Sequence, residues 1–214
     1  DHNEAFFADH VLGKLSAEVP DDDERAVLAN VQLQQARLAL LDNRPDRASV
    51  FAANAVAVFT STDYQRERAS AWLLLARALR AQGKNDEASA ETTRLQAWAK
   101  SITAPPVPVY AALADAERDV AQHKLDASRA GYARALALAD KTDVPNDIAE
   151  VVTSYGNRLV AEGELERASA VVGHVARWAE HDFACALLTA RYYHALGESD
   201  AWRTALQSAH KLAG

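Results

Sequence analysis

Apolar residues recur along this chain at helical spacing, in pairs of stripes separated by short polar turns. Between residues 69 and 100, Trp72, Leu75, Ala76 and Leu79 fall at i, i+3, i+4 and i+7, one face of a helix. Ala88, Thr92, Leu95 and Ala99 then line one face of a second helix. Gly83 stands between them and ends the first helix by tolerating a left-handed cap. Asn85 and Asp86 stand where a side-chain oxygen can accept the free N–H groups of the second. The same grammar recurs downstream. Val152, Tyr155, Gly156 and Leu159 precede Gly163, and Ala168, Val172, Val175 and Ala179 follow it. Ala112, Ala116 and Asp119 precede His123, and Ser128, Tyr132, Ala135 and Leu136 follow it.

The turns are periodic. Segments opening at Asn43, Gly83, His123 and Gly163 are each 40 residues apart, and a fifth at Gly197 follows after 34. Small residues keep the same register. Ala36, Ala76, Ala116, Gly156 and Ala190 stand seven before the turns, and Ala48, Ala88, Ser128 and Ala168 five after. Small side chains at both places let paired helices approach closely. Self-similarity at such a period signals stacked structural repeats, and such arrays build extended binding surfaces.

These residues resemble the tetratricopeptide repeat (TPR) family, a helical hairpin marked by a Trp or Leu, a small residue, a turn Gly, an Ala, an aromatic and then Ala-Leu. Trp72…Leu75-Ala76…Gly83…Ala88 carries the first part and Ser128…Tyr132…Ala135-Leu136 the second. The usual period is about 34 residues. The longer spacing, with the run Ala135-Leu136-Ala137-Leu138-Ala139-Asp140-Lys141, resembles the longer-helix variants of kinesin light chains and bacterial signal-sensing regulators. The resemblance spans residues 22 to 212 or so, and the His123 turn departs from it by lacking the glycine. It implies an all-α, right-handed solenoid of antiparallel helical hairpins, with about five repeats and about eleven helices.

The expected organisation is an N-terminal helix within residues 1–20, followed by a TPR-like array over 21–214 with turns near 43, 83, 123, 163 and 197. Projecting the period backwards places residues 3 to 17 where a second helix belongs, either half of a repeat that begins upstream or a separate capping helix. Pro20 and Asp21-Asp22-Asp23-Glu24 open the next helix, where negative charge opposes the dipole favourably. The segment Ile102-Thr103-Ala104-Pro105-Pro106-Val107-Pro108 cannot continue a helix and reads as an inter-repeat loop, with a hinge as the alternative.

Composition narrows the function. Net charge is −7 and no basic stripe is present, which excludes direct nucleic-acid binding as the expectation. No apolar run of about 18 residues or more exists, so no membrane insertion is expected. The one cysteine, Cys185, cannot form an internal disulfide. The chain lacks Met even at residue 1 and is read as a processed or excised piece. Cytoplasmic location is expected, with the periplasm as alternative if the parent is a membrane-anchored regulator.

Chemistry is sparse. His181 and Cys185 could share a helix face, as could His174 and His181, but a zinc site takes about four ligands, usually closer and richer in cysteine. Neither a metal nor a cofactor is expected. His181-Asp182 stands instead where a helix cap belongs. No nucleophile motif or phosphate loop appears, so no enzyme activity is expected. Trp98 and Trp178 stand two periods apart, with Val58 and Leu138 at the equivalent places, and are expected to pack between successive repeats.

In the resembling family the first helix of each pair lines a concave groove. Mapped here, one row is Arg37, Arg77, Glu117, Asn157 and Arg191. Beside it run Leu33, Leu73, Leu113, Thr153 and Leu187, then Leu40, Arg80, Val120, Val160 and His194. This makes an apolar strip edged by arginines, which hold carboxylates in bidentate fashion. The competing reading has these long side chains covering the helices and meeting neighbouring carboxylates. The Lys-plus-Asn clamp of chaperone-binding members is absent. The resemblance thus implies a non-catalytic regulatory module of a larger bacterial protein, taking a protein or peptide partner of acidic character. The alternative is a ligand-sensing domain that controls an attached DNA-binding or kinase effector domain.

Overall fold

The structure, a computed structural model, describes residues 22–213. The expected N-terminal helix over 1–20 lies outside the described residues. Among those described, ten α-helices and one short 3-10 turn follow one another: α1 (Asp22–Leu41), α2 (Pro45–Phe59), α3 (Gln65–Ala81), α4 (Asn85–Ala99), α5 (Pro106–Ala121), α6 (Leu125–Thr142), α7 (Pro145–Glu162), α8 (Leu165–Gly173), the 3-10 turn (Ala176–Trp178), α9 (Phe183–Leu196) and α10 (Ser199–Ala213). They fall into two compact units that divide between Lys124 and Leu125.

In the first unit α1 packs on α2, α2 on α3, α3 on α4 and α4 on α5, while α3 also packs directly on α5. In the second, α6 packs on α7, α7 on α8, α8 on α9 and α9 on α10, with α7 directly on α9. Each unit is therefore a stack of helical hairpins in which first helices also touch the next first helix. That is the all-α, hairpin-solenoid architecture expected. The unit boundary falls at the His123 turn. The proline segment lies inside the first unit, where α4 and α5 pack across it.

The turn chemistry explains the period. All five turn residues at Asn43, Gly83, His123, Gly163 and Gly197 take left-handed backbone, with φ of 55°, 77°, 59°, 75° and 78°. Each closes a Schellman motif. The Gly83 N–H donates to Arg80 O (2.9 Å) and the Lys84 N–H to Leu79 O (3.0 Å). Equivalent pairs link Arg44 to Ala39 (2.8 Å), Lys124 to Asp119 (2.9 Å), Glu164 to Leu159 (2.9 Å) and Glu198 to Tyr193 (3.0 Å). These bonds satisfy carbonyls that a helix end otherwise leaves open.

The helix starts differ from expectation. Lys84 takes the N-cap position of α4 and makes no side-chain cap, so Asn85 and Asp86 lie inside the first turn. There Asp86 and Glu87 act through the helix dipole alone. Pro45, Pro106 and Pro145 open α2, α5 and α7, where a missing N–H costs nothing. Asp182 does cap α9, accepting from the Cys185 N–H at 2.8 Å, as its position suggested.

The small-residue register is the core. Ala36, Ala76 and Ala116 are 0% exposed and Ala190 2%, while Ala48, Ala88, Ser128 and Ala168 lie between 0% and 4%. Gly156 is buried too, and a Cβ built there would stand 2.8 Å from Leu188 Cδ2. One second helix departs from the pattern. The face expected over Ala168, Val172, Val175 and Ala179 is interrupted, since α8 stops at Gly173 and the chain continues as the 3-10 turn. A glycine inside a helix costs about 1 kcal/mol relative to Ala, which weakens the helix where the period shortens. Val175 is nonetheless fully buried.

Candidate binding face

The row of first-helix residues is where the repeats communicate within each unit. On α3, Arg77 grips Glu117 of α5 with two nitrogens: Nε donates at 3.0 and 3.1 Å to the two carboxylate oxygens, and Nη2 at 2.6 Å. Arg80, one turn on, donates from Nη2 to the same carboxylate at 2.6 Å. All three side chains are mostly covered, Glu117 being 11% exposed. Arg37 of α1 donates from Nη2 to Ser70 Oγ on α3 at 2.9 Å. In the second unit, Arg191 of α9 donates from Nη1 to Asn157 Oδ1 on α7 at 2.8 Å. The partners Arg77–Glu117 and Arg191–Asn157 are 40 and 34 residues apart, one period in each case.

The apolar strip is placed differently from the expectation. Leu33, Leu73 and Leu113 are 4%, 1% and 0% exposed. Because α3 lies directly against α5, the row beside the arginines turns inward and becomes core. Leu73 and Leu113 therefore offer no surface to a ligand. Leu187 on α9 is half-buried, and His194 is exposed with its ring 5.2 Å from that of Trp202 on α10.

A second cluster went unread in the sequence as a unit. Trp98 packs against Trp72 of its own hairpin, at 5.5 Å between ring centroids, not between repeats. The Arg68 guanidinium lies over both rings, 4.8 Å from Trp72 and 4.5 Å from Trp98. Its Nε is buried without a hydrogen-bond partner, and burial lowers the pKa of the group. Trp72 Nε1 donates to Glu91 Oε2 at 3.0 Å, and Glu91 also receives Arg94 at 2.6 Å. The available signal was the i, i+4 spacing of Arg68 and Trp72, which sets a cation and an indole on one face. Trp178 sits in the 3-10 turn, with the Arg177 guanidinium 4.4 Å from its ring centroid.

Burial, with Asp182 adding to it, pushes the Cys185 thiol far up, so it stays protonated. Among the described residues, no group of three or more His, Cys, Asp or Glu side chains is arranged to hold a metal ion. No described helix is long and apolar enough to cross a membrane.

Comparison with known proteins agrees with this geometry at the level of fold. No protein-family model and no curated protein matches the sequence. Solved structures do. A Rap protein complexed with Competence and Sporulation Factor superposes with a TM-score of 0.71 at 13% identity, over 96% of this chain and 58% of its own. BtubC (BKLC) from P. vanneervenii gives 0.54 at 13% identity, covering 91% of each chain. A putative kinesin light chain with nearly identical TPR-like repeats, from Podosopora anserina, gives 0.50 at 20% identity, over 88% of this chain and 96% of its own. The fold is thus a TPR-like helical-repeat fold. The chain spans 58% of the length of the Rap protein.

Proposed function

We propose that this chain is a non-catalytic module that binds a protein or peptide partner along its first helices, as a regulatory part of a larger bacterial protein. The observation that carries the reading is the inter-repeat row. Arg77 and Arg80 are pinned on Glu117, Arg37 on Ser70 and Arg191 on Asn157, so each guanidinium is held by the neighbouring first helix. A side chain already fixed loses less freedom on binding, which raises the affinity a given contact yields. Arg77 and Arg80 are charge-paired with Glu117, as the competing reading expected. The exposed Arg191 is instead held by the neutral Asn157 amide and suits a carboxylate, so an acidic segment is the ligand class proposed. In the first unit the face comprises Arg37, Arg77, Arg80 and Glu117. In the second it comprises Asn157, Leu187, Arg191 and His194. The fold shared with a Rap protein complexed with Competence and Sporulation Factor supports a binding role.

The test is fluorescence anisotropy with labelled peptides, acidic against sequence-matched neutral. Acidic peptides are expected to bind in preference, and replacing Arg37, Arg77 and Arg191 together by Ala is expected to weaken them at least tenfold. Unchanged affinity in a variant that keeps its helicity and melting temperature would overturn the assignment of this face.

A further inference from the structure

Arg77, Arg80 and Arg118 of the first unit each meet a carboxylate, on Glu117 or on Asp115. Arg68, at the start of α3, is half-buried as well but is seated on aromatic rings instead. Its backbone N–H donates to Tyr64 O at 3.0 Å, which fixes it in the first turns of the helix. The Trp72 and Trp98 rings are 5.5 Å apart and tilted by 52°, so one guanidinium lies over both. A cation so placed gains from two ring quadrupoles and loses torsional freedom.

Among the described residues the Arg68 side chain makes no hydrogen bond and no ion pair. Its Nε is buried without a partner, whereas neither Nη is sealed in that way. The open part of the group is thus the edge that carries both Nη atoms. Glu91, the carboxylate of this cluster, is already engaged, accepting from Trp72 Nε1 at 3.0 Å and from Arg94 Nη1 at 2.6 Å. Burial lowers the Arg68 pKa with no neighbouring charge set against it. A guanidinium nevertheless keeps its proton in proteins.

This placement carries two costs. A cation near the start of a helix stands at the wrong end of the dipole. A half-buried charge without a hydrogen-bonded partner has lost water it does not replace. A bound anion relieves both.

We propose that Arg68, seated on Trp72 and Trp98, is a binding site for a carboxylate attached to an apolar or aromatic body. The Nη edge takes the two carboxylate oxygens in its own plane, the bidentate geometry to which a guanidinium is matched. Trp98 is only half-buried, and the open part of its ring receives the body. The rings hold the guanidinium in place beforehand, so less freedom is lost on binding. Arg68 stands nine residues before Arg77, half a turn round α3. The site therefore points away from the first-helix row and is independent of what that row binds.

The test is a magnetic-resonance titration of the isotope-labelled full chain, read at the indole N–H signals of its four tryptophans. N-acetylphenylalanine is the probe. Its uncharged amide is the control for the carboxylate, and inorganic phosphate the control for anions in general. The Trp72 and Trp98 signals are expected to shift saturably with the probe. No such shift, or shifts confined to Trp178 and Trp202, would overturn the site. An equal response to the amide or to phosphate would overturn the ligand class. Arg68→Lys keeps the charge and the ring contact but not the fork, and is expected to weaken binding about tenfold or more. Arg68→Gln is expected to abolish it. Unchanged affinity in either variant, at an unchanged melting temperature, would remove Arg68 from the site. Benzoate then separates the sources. Weaker binding than N-acetylphenylalanine assigns the site to a peptide C-terminus, and tighter binding to a small aromatic acid, the carboxylate site standing in both cases.

Discussion

The two units meet the same packing requirement with different residues at one place. In the first, the residue seven before each turn is alanine, and Ala36, Ala76 and Ala116 are wholly buried. In the second the place is held by Gly156 and by Ala190, and Leu188 of the next first helix occupies the space that a methyl group at Gly156 would need. The close approach of stacked helices depends on the sum of the two side chains, which can be divided either way. Close-packed interiors penalise both a void and an excess.

Breaking that division should give the largest effects. Leu188→Ala, which leaves a cavity opposite glycine, should cost about 2–5 kcal/mol in denaturant unfolding. Gly156→Leu and Ala76→Leu should each cost about 1–3 kcal/mol by overpacking, the glycine site more because its Cβ already overlaps Leu188. Adding Gly156→Ala to the Leu188→Ala variant should restore part of the loss. Simple additivity would show that the two residues do not share one space. A smaller contrast concerns the first-helix row. Glu117→Gln removes a mostly buried carboxylate from two guanidiniums and should cost about 1–3 kcal/mol. Asn157→Ala, which loses a contact to the exposed Arg191, should cost under about 1 kcal/mol.

The turns sharpen the comparison further. Gly83→Ala and Gly163→Ala force a side chain into left-handed backbone and should each cost about 1 kcal/mol. His123→Gly and Asn43→Gly relieve that cost but free the unfolded chain, leaving a gain of about 0.5 kcal/mol. The smallest effect is chemical. Cys185 should resist Ellman's reagent in the native protein and react fully once unfolded, and rapid native reaction would mean that α9 opens readily.

Much of this architecture was legible because it repeats. A turn residue, a small residue before it and a small residue after it coincide in several copies, and all proved to be backbone or core requirements. What repetition could not convey was rotation. Leu73 and Leu113 keep the spacing expected of a groove row, and the direct packing of α3 on α5 turns them inward among neighbours that are buried as well. Capping was misread for a related reason. Asn85 and Asp86 have the right chemistry, but the Schellman turn places Lys84 at the helix start and carries them past it. The short α8 was signalled by Gly173 and by the shortened interval, yet Val172 and Val175 kept the apolar pattern running beyond the helix end. The first-helix row was partly legible. Its members were correctly spaced, but the carboxylate shared by Arg77 and Arg80 depends on the height at which two helices meet.

The paired indoles of Trp72 and Trp98 have an optical consequence. At 5.5 Å and tilted by 52°, their transitions couple, and such coupling gives a circular-dichroism couplet that neither ring shows alone. The second unit has no tryptophan pair in contact among its described residues. It has instead the stacked Tyr132 and Tyr155 rings, 4.6 Å apart. The couplet is therefore an intrinsic label for the first unit. Followed during heating beside the far-ultraviolet helix signal, it reports whether the α3–α4 hairpin opens together with the remaining helices or ahead of them.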